Sequence, residues 1–226
     1  MRRTVTLWDS TVSRKIVMAV TGLILVIFVI GHAFGNLKVY EGPAAFNAYA
    51  HGLRTFGAPE LSTGQMLWLI RVVLIVSVVL HVWAAISLNL RSGRMRERVY
   101  RKFRFIGFSR ASQTMLWGGI AIFGFVTYHL LDLTFGPANP AFVEGNVYHN
   151  FVASFQRWPV SGAYIVAMLA LGLHIYHGLW SMFQTMGWNN VRYNAFRRPF
   201  AAALALVIVL VNISFPLSVL AGIIHE

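Results

Sequence analysis

The stretch IVMAVTGLILVIFVIGHAFGNL, residues 16–37, contains no Asp, Glu, Lys or Arg across 22 positions. A bilayer core is crossed by about 20 apolar residues of helix, so this stretch reads as a membrane span. Basic residues ahead of an apolar run also open a secretory signal. This run exceeds a signal's apolar core and shows no small-x-small cleavage site, so it is expected to be a retained first span. Near its end stands His32, a polar group in an otherwise apolar helix.

Working outward, four more segments qualify: residues 66–90, interrupted by Arg71, then 111–134, 160–185 and 200–222. The chain of 226 residues is 57% hydrophobic and 12% charged, the balance of an integral membrane protein rather than a soluble domain. Helix is the expected state throughout, because lone strands would leave backbone groups unpaired in lipid. The predicted fold is all-α, one membrane domain over 1–226 with five transmembrane helices, I–V, of which I–IV form a four-helix bundle. With no cysteine, the chain offers no disulfide, thiolate metal site or iron–sulfur ligation.

The net charge of +12 does not call for nucleic acid. Basic residues collect on cytoplasmic loops, and here they sort by side. The N-terminal tail, the loop RSGRMRERVYRKFRFIGFSR (91–110) and the IV–V loop hold fifteen Lys or Arg; the other side holds three, Lys38, Arg54 and Arg157. That asymmetry puts the N-terminus in the cytoplasm and the C-terminus outside. Trp68 and Trp158 near the outer ends, with Trp117 and Trp188 near the inner ends, fit interfacial belts. In GPAAFNAYAHGLRTFG (42–57), Ala45, Tyr49 and Leu53 recur at helical spacing, which predicts a short helix on the outer surface. Pro137 and Pro140 break the III–IV loop. No phosphate loop, Ser-His-Asp set or paired-carboxylate site is visible, so the chain alone is not expected to perform hydrolysis or group transfer.

Each of spans I–IV carries histidine and span V carries none: His32, His81, His129, then His174 with His177. Ionisable groups at membrane depth are costly and usually functional. A lone one is more often a packed, hydrogen-bonded residue; four spans in a row are a stronger signal. Depth sorts them further. Arg110 to His129 is 19 residues, and Lys15 to His32 is 17. At about 1.5 Å per residue these are roughly 28 and 25 Å from the inner boundary. His81 lies roughly 15 Å and His174 roughly 20 Å from theirs. The result is an outer pair, His32 with His129, and an inner pair, His81 with His174. Two histidine pairs at two depths suit two b haems, each iron taking one imidazole on each face. Small residues beside them (Gly31, Gly35, Ala84, Ala85, Gly178) would admit a flat macrocycle, although small residues also simply pack helices. Zinc would need its ligands clustered at one depth. A proton-conducting histidine chain would need intramembrane carboxylates; the nearest, Asp132, is expected at the outer interface. Spacing alone leaves His174 and His177 as alternatives for the span IV ligand.

The motifs GHAFGN (31–36), AAFNAYAH (44–51) and LHIYHGLWSMFQTMG (173–187), with five spans and a histidine-free span V, resemble the single-polypeptide di-haem cytochrome b anchor of succinate:menaquinone oxidoreductases and fumarate reductases. The resemblance covers nearly the whole chain. It implies that His174 is the ligand and that His177 hydrogen-bonds a haem propionate or a neighbouring helix. It implies partners, a flavoprotein and an iron–sulfur subunit docked on the cytoplasmic face, and a membrane quinone, menaquinone being favoured. It also implies the cytoplasmic membrane of a prokaryote, and it is compatible with a higher oligomer of the whole complex. The basic 91–110 loop serves either as a topology signal touching lipid phosphates or as an attractant for an acidic partner. Quinone candidates are His51 and Arg71 outside and Ser10 and Arg14 inside. Arg71 would face the protein or else snorkel beside Trp68, and Ser10 would share a helix face with Arg14 or else cap the first helix. The competing expectations are a di-haem anchor of a nitrate-reductase-like or formate-dehydrogenase-like complex, and a haem-free transporter.

Overall fold

The computed structural model describes residues 10–96, 110–188 and 190–226. Most of the basic 91–110 stretch therefore lies outside the described residues. Among those described there is helix and no strand. The helices are α1 (Thr11–Asn36), α2 (Pro43–Thr55), α3 (Gln65–Arg96), α4 (Arg110–His129), α5 (Val147–Gln156), α6 (Trp158–Thr185) and α7 (Val191–Leu220). Five of them, α1, α3, α4 with its continuation, α6 and α7, are long and apolar enough to cross a membrane, the fold of a multi-pass membrane protein. Large apolar side chains such as Leu69, Ile75, Val166, Leu173, Leu206 and Leu210 point outward. Water would penalise that surface, whereas lipid does not.

Local chemistry sets the helix ends. Ser10 caps α1, its hydroxyl accepting from the Ser13 amide at 3.0 Å. After α1 a 3-10 turn (Leu37–Glu41) leads to Gly42, whose φ of 96° reverses the chain before Pro43 opens α2. Asn190 caps α7, its side chain accepting from Arg192 N at 2.9 Å. The predicted spans match these helices apart from their ends. α3 runs on to Arg96, and α7 starts at Val191 rather than 200, carrying Pro199 inside it. Hydropathy marks only the apolar part of a helix, and backbone hydrogen bonding carries it further into the interface.

α3 packs on α1, α1 on α6, α6 on α4, and α7 along the other side of α6. α7 fits closely: a Cβ on Gly172 of α6 would lie 2.3 Å from Val209 Cγ2. The densest core gathers where α2 and α5 meet the ends of the spans, around Val39, Phe46, Phe151, Phe155, Tyr164 and Phe215. The surface helix predicted in 42–57 is α2. It buries Phe46 rather than the Ala45–Tyr49–Leu53 row, of which Leu53 is exposed. α5 is an addition to the expected elements and is mostly buried. Asn47 joins it to α2, donating to Asn146 Oδ1 at 3.1 Å and accepting from Tyr148 N at 3.0 Å. Trp68, Trp117, Trp158 and Trp188 are all exposed, Trp68 and Trp158 in the first turns of α3 and α6, Trp117 two turns into α4 and Trp188 just beyond α6.

Candidate functional site

The histidines of the four spans meet in pairs. His32 of α1 and His129 of α4 have ring centres 5.9 Å apart. His81 of α3 and His174 of α6 have ring centres 6.2 Å apart. Neither pair joins helices that pack side by side. With the packing order α3–α1–α6–α4, each pair crosses between helices that are not neighbours. His177 belongs to neither pair and rests edge-on against Trp180, with ring centres 5.7 Å apart.

Each pair has one ring held from behind. Thr21, buried on α1, donates to Val17 O at 2.7 Å, and its oxygen lies 3.2 Å from His81 Nδ1. His129 Nδ1 lies 3.3 Å from the Tyr164 hydroxyl. That hydroxyl in turn donates to Asp132 Oδ2 at 3.0 Å. His32 stacks on Phe28, one helical turn earlier, at 5.4 Å. His174 Nδ1 is buried with no hydrogen-bond partner.

Asp132, expected at the outer interface, has a side chain fully buried within the protein. The chain reaches this geometry because α4 widens just after His129 into a π-helical turn, Leu130–Thr134, closed by Phe135 N donating to Leu130 O at 2.9 Å. Asp132 receives hydrogen bonds from Ser154 Oγ of α5 and Tyr164 of α6, and forms an ion pair with Arg157 at the α5–α6 junction. Arg157 also donates to Ala138 O at 2.9 Å. A buried carboxylate needs such company, since an unpaired charge in a low-dielectric interior is strongly unfavourable.

Arg71 does not face the protein: it is exposed, with its guanidinium 5.1 Å from the Trp68 ring centre, the snorkelling arrangement. Ser10 caps α1, and its hydroxyl also lies 2.7 Å from Ser13 Oγ. Arg14 lies over the Trp83 ring at 5.3 Å, with a buried Nε that has no partner. His51 is exposed on α2.

The residues fit a pair of axially ligated haems. A metal held between two imidazoles sits about 2 Å from each nitrogen, which sets the ring centres about 6 Å apart. Both pairs have that separation. Glycines lie against the His81–His174 pair, a Cβ on Gly22 meeting His81 Cε1 at 3.2 Å and one on Gly119 meeting His174 Cε1 at 3.6 Å, whereas the space beside Gly35 is taken by Tyr49. Among the described residues no three His, Asp or Glu side chains gather as around a zinc ion. Comparison of the chain with protein-family profiles, with curated proteins and with solved structures gives no match.

Proposed function

We propose that this chain is the cytochrome b membrane anchor of a succinate:quinone oxidoreductase, taking electrons from an iron–sulfur subunit to a membrane quinone. The observation that carries the reading is the crossing of two histidine pairs between four spans, each with a metal-compatible separation. The motif resemblance supplies the identity of the complex. His32 and His129 would hold one b haem, and His81 and His174 the other. Bound there, the two haems supply one-electron carriage between the soluble subunits and the quinone, menaquinone being favoured. Held by two imidazoles each, the haems would carry electrons rather than bind oxygen. Thr21 and Tyr164 fix two of the rings, each by an oxygen at the imidazole Nδ1, as metal-ligating histidines are commonly oriented. α7 adds no histidine and braces α6 through the Gly172 contact.

The fifteen-to-three distribution of basic residues supports a cytoplasmic N-terminus and an external C-terminus. The histidine pair nearer α2 and α5 is then the outer one. The cytoplasmic ends of the spans would dock the iron–sulfur subunit of a flavoprotein partner, in the cytoplasmic membrane of a prokaryote.

Isolation of the tagged chain from its native membranes tests the assignment. The expected result is co-purification of a flavoprotein and an iron–sulfur protein, with b-type absorbance bands that succinate reduces. Co-purification of a molybdenum-dependent nitrate reductase or formate dehydrogenase instead would move the anchor to another complex. A colourless chain that purifies alone would favour a transporter.

A further inference from the structure

We propose that Tyr164 is a positioning residue for His129, holding its imidazole by the Nδ1–H and delivering to it the negative charge of Asp132. The inference rests on the haem reading above and concerns what sets the properties of one haem.

The hydrogen-bond directions follow from donor counts. Tyr164 has one hydroxyl proton, and an ionised carboxylate only accepts. Asp132 is paired with Arg157, so the Tyr164 proton points to Asp132 Oδ2 at 3.0 Å. The phenol oxygen is then left to accept, and His129 Nδ1 at 3.3 Å must donate to it. Reversing the hydroxyl would set two acceptors against each other across the Tyr164–Asp132 contact. His129 therefore carries its proton on Nδ1 and keeps the Nε2 lone pair for iron.

The second site has an anchor of the same design and different strength. Thr21 spends its proton on Val17 O, so its oxygen accepts from His81 Nδ1. That anchor is backed by a neutral peptide carbonyl, whereas Tyr164 is backed by a carboxylate. Hydrogen bonds to ionised acceptors are roughly twice as strong as neutral ones, and linked bonds polarise one another. His129 is thereby made the more electron-donating ligand, which favours ferric over ferrous iron in the outer haem.

Ser154 allows a test of sign. It donates to Oδ2, the carboxylate oxygen that also receives Tyr164. Removing it leaves more of the charge for Tyr164, and removing the Tyr164 hydroxyl disconnects the charge altogether.

The experiment is a spectroscopic redox titration of the purified complex, with haem counted by pyridine haemochrome. Loss of a hydrogen bond behind a metal-ligating histidine typically costs about 10- to 100-fold in affinity, so a tenfold loss confined to the ferric state raises a one-electron potential by about 59 mV. Y164F is expected to keep two haems and to raise, by about that amount, the haem that His32→Ala removes. S154A is expected to lower the same haem. T21V is expected to move only the other haem. Unmoved potentials in Y164F, equal shifts of both haems, or shifts of the same sign in Y164F and S154A overturn the proposal. Should Y164F lose the outer haem, the sign in S154A decides: a fall supports the proposal and a rise or no change overturns it. A wild-type complex without haem overturns the underlying reading instead.

Discussion

Arg157→Leu strands the carboxylate of Asp132 inside the protein. Asp132 has no solvent exposure, and Arg157 is its only cationic partner among the described residues, with 29% of the side chain accessible. Ser154 and Tyr164 remain as donors, but they are neutral. Removing one partner of a buried ion pair costs about 3–5 kcal/mol, and the partly hydrated arginine places this case at the lower end, about 3 kcal/mol. The lost bond to Ala138 O loosens the α4–α5 connection as well. For a chain of this size each kcal/mol moves the melting temperature by about 2–4 °C, so the expected fall is about 6–12 °C. The assay is thermal unfolding in a mild detergent, read as the fraction still monodisperse by size exclusion after heating. The double variant D132L/R157L removes both charges but leaves the Ser154 and Tyr164 hydroxyls without that acceptor, so it should recover part of the loss and lie between the single variant and the parent. A single variant that melts with the parent, or a double variant less stable than the single, would refute the buried-pair account.

Other outcomes follow from the same geometry. His32→Ala and His129→Ala should each remove the same haem, and His81→Ala and His174→Ala the other, judged by redox spectra of each variant; loss of different haems within a pair would break the pairing. His177→Ala should retain both haems, because the ring packs against Trp180 and belongs to neither histidine pair. A Cβ at Gly35 would lie 2.2 Å from the Tyr49 hydroxyl, so G35A should destabilise by about 1–3 kcal/mol, with relief by Y49A. G172A should weaken the α6–α7 contact by a similar amount, about 1–3 kcal/mol, and leave the haem count untouched, with V209A restoring stability.

The five spans were legible because apolar length is a property of contiguous sequence. The depth of each histidine was legible too, since a helix converts residue number into distance. Its depth pairs are the pairs that meet in the structure. Asp132 was not legible. Its partners Ser154, Arg157 and Tyr164 lie 22 to 32 residues away and meet it through a π turn and a loop that no periodicity announces. Helix α5 carries a short helical signal, with Val147, Tyr148, Phe151, Val152 and Phe155 of VYHNFVASFQ on one face. Its ten residues are too few to cross a bilayer, so a search for apolar length passes over it. Ser10 and Arg71 were ambiguous for a different reason. A serine before a span or an arginine inside one serves capping, snorkelling or binding with the same local sequence, and only the neighbours Ser13 and Trp68 decide between them.

The central claim is that four imidazoles from four spans hold two haems. It is tested most directly by pyridine haemochrome analysis of the purified chain, expressed with ample haem supply and quantified against protein by amino-acid analysis. The account predicts two b haems per chain, falling to one in either His32→Ala or His174→Ala. A wild-type chain without porphyrin, or one whose haem content is indifferent to those two substitutions, would contradict it.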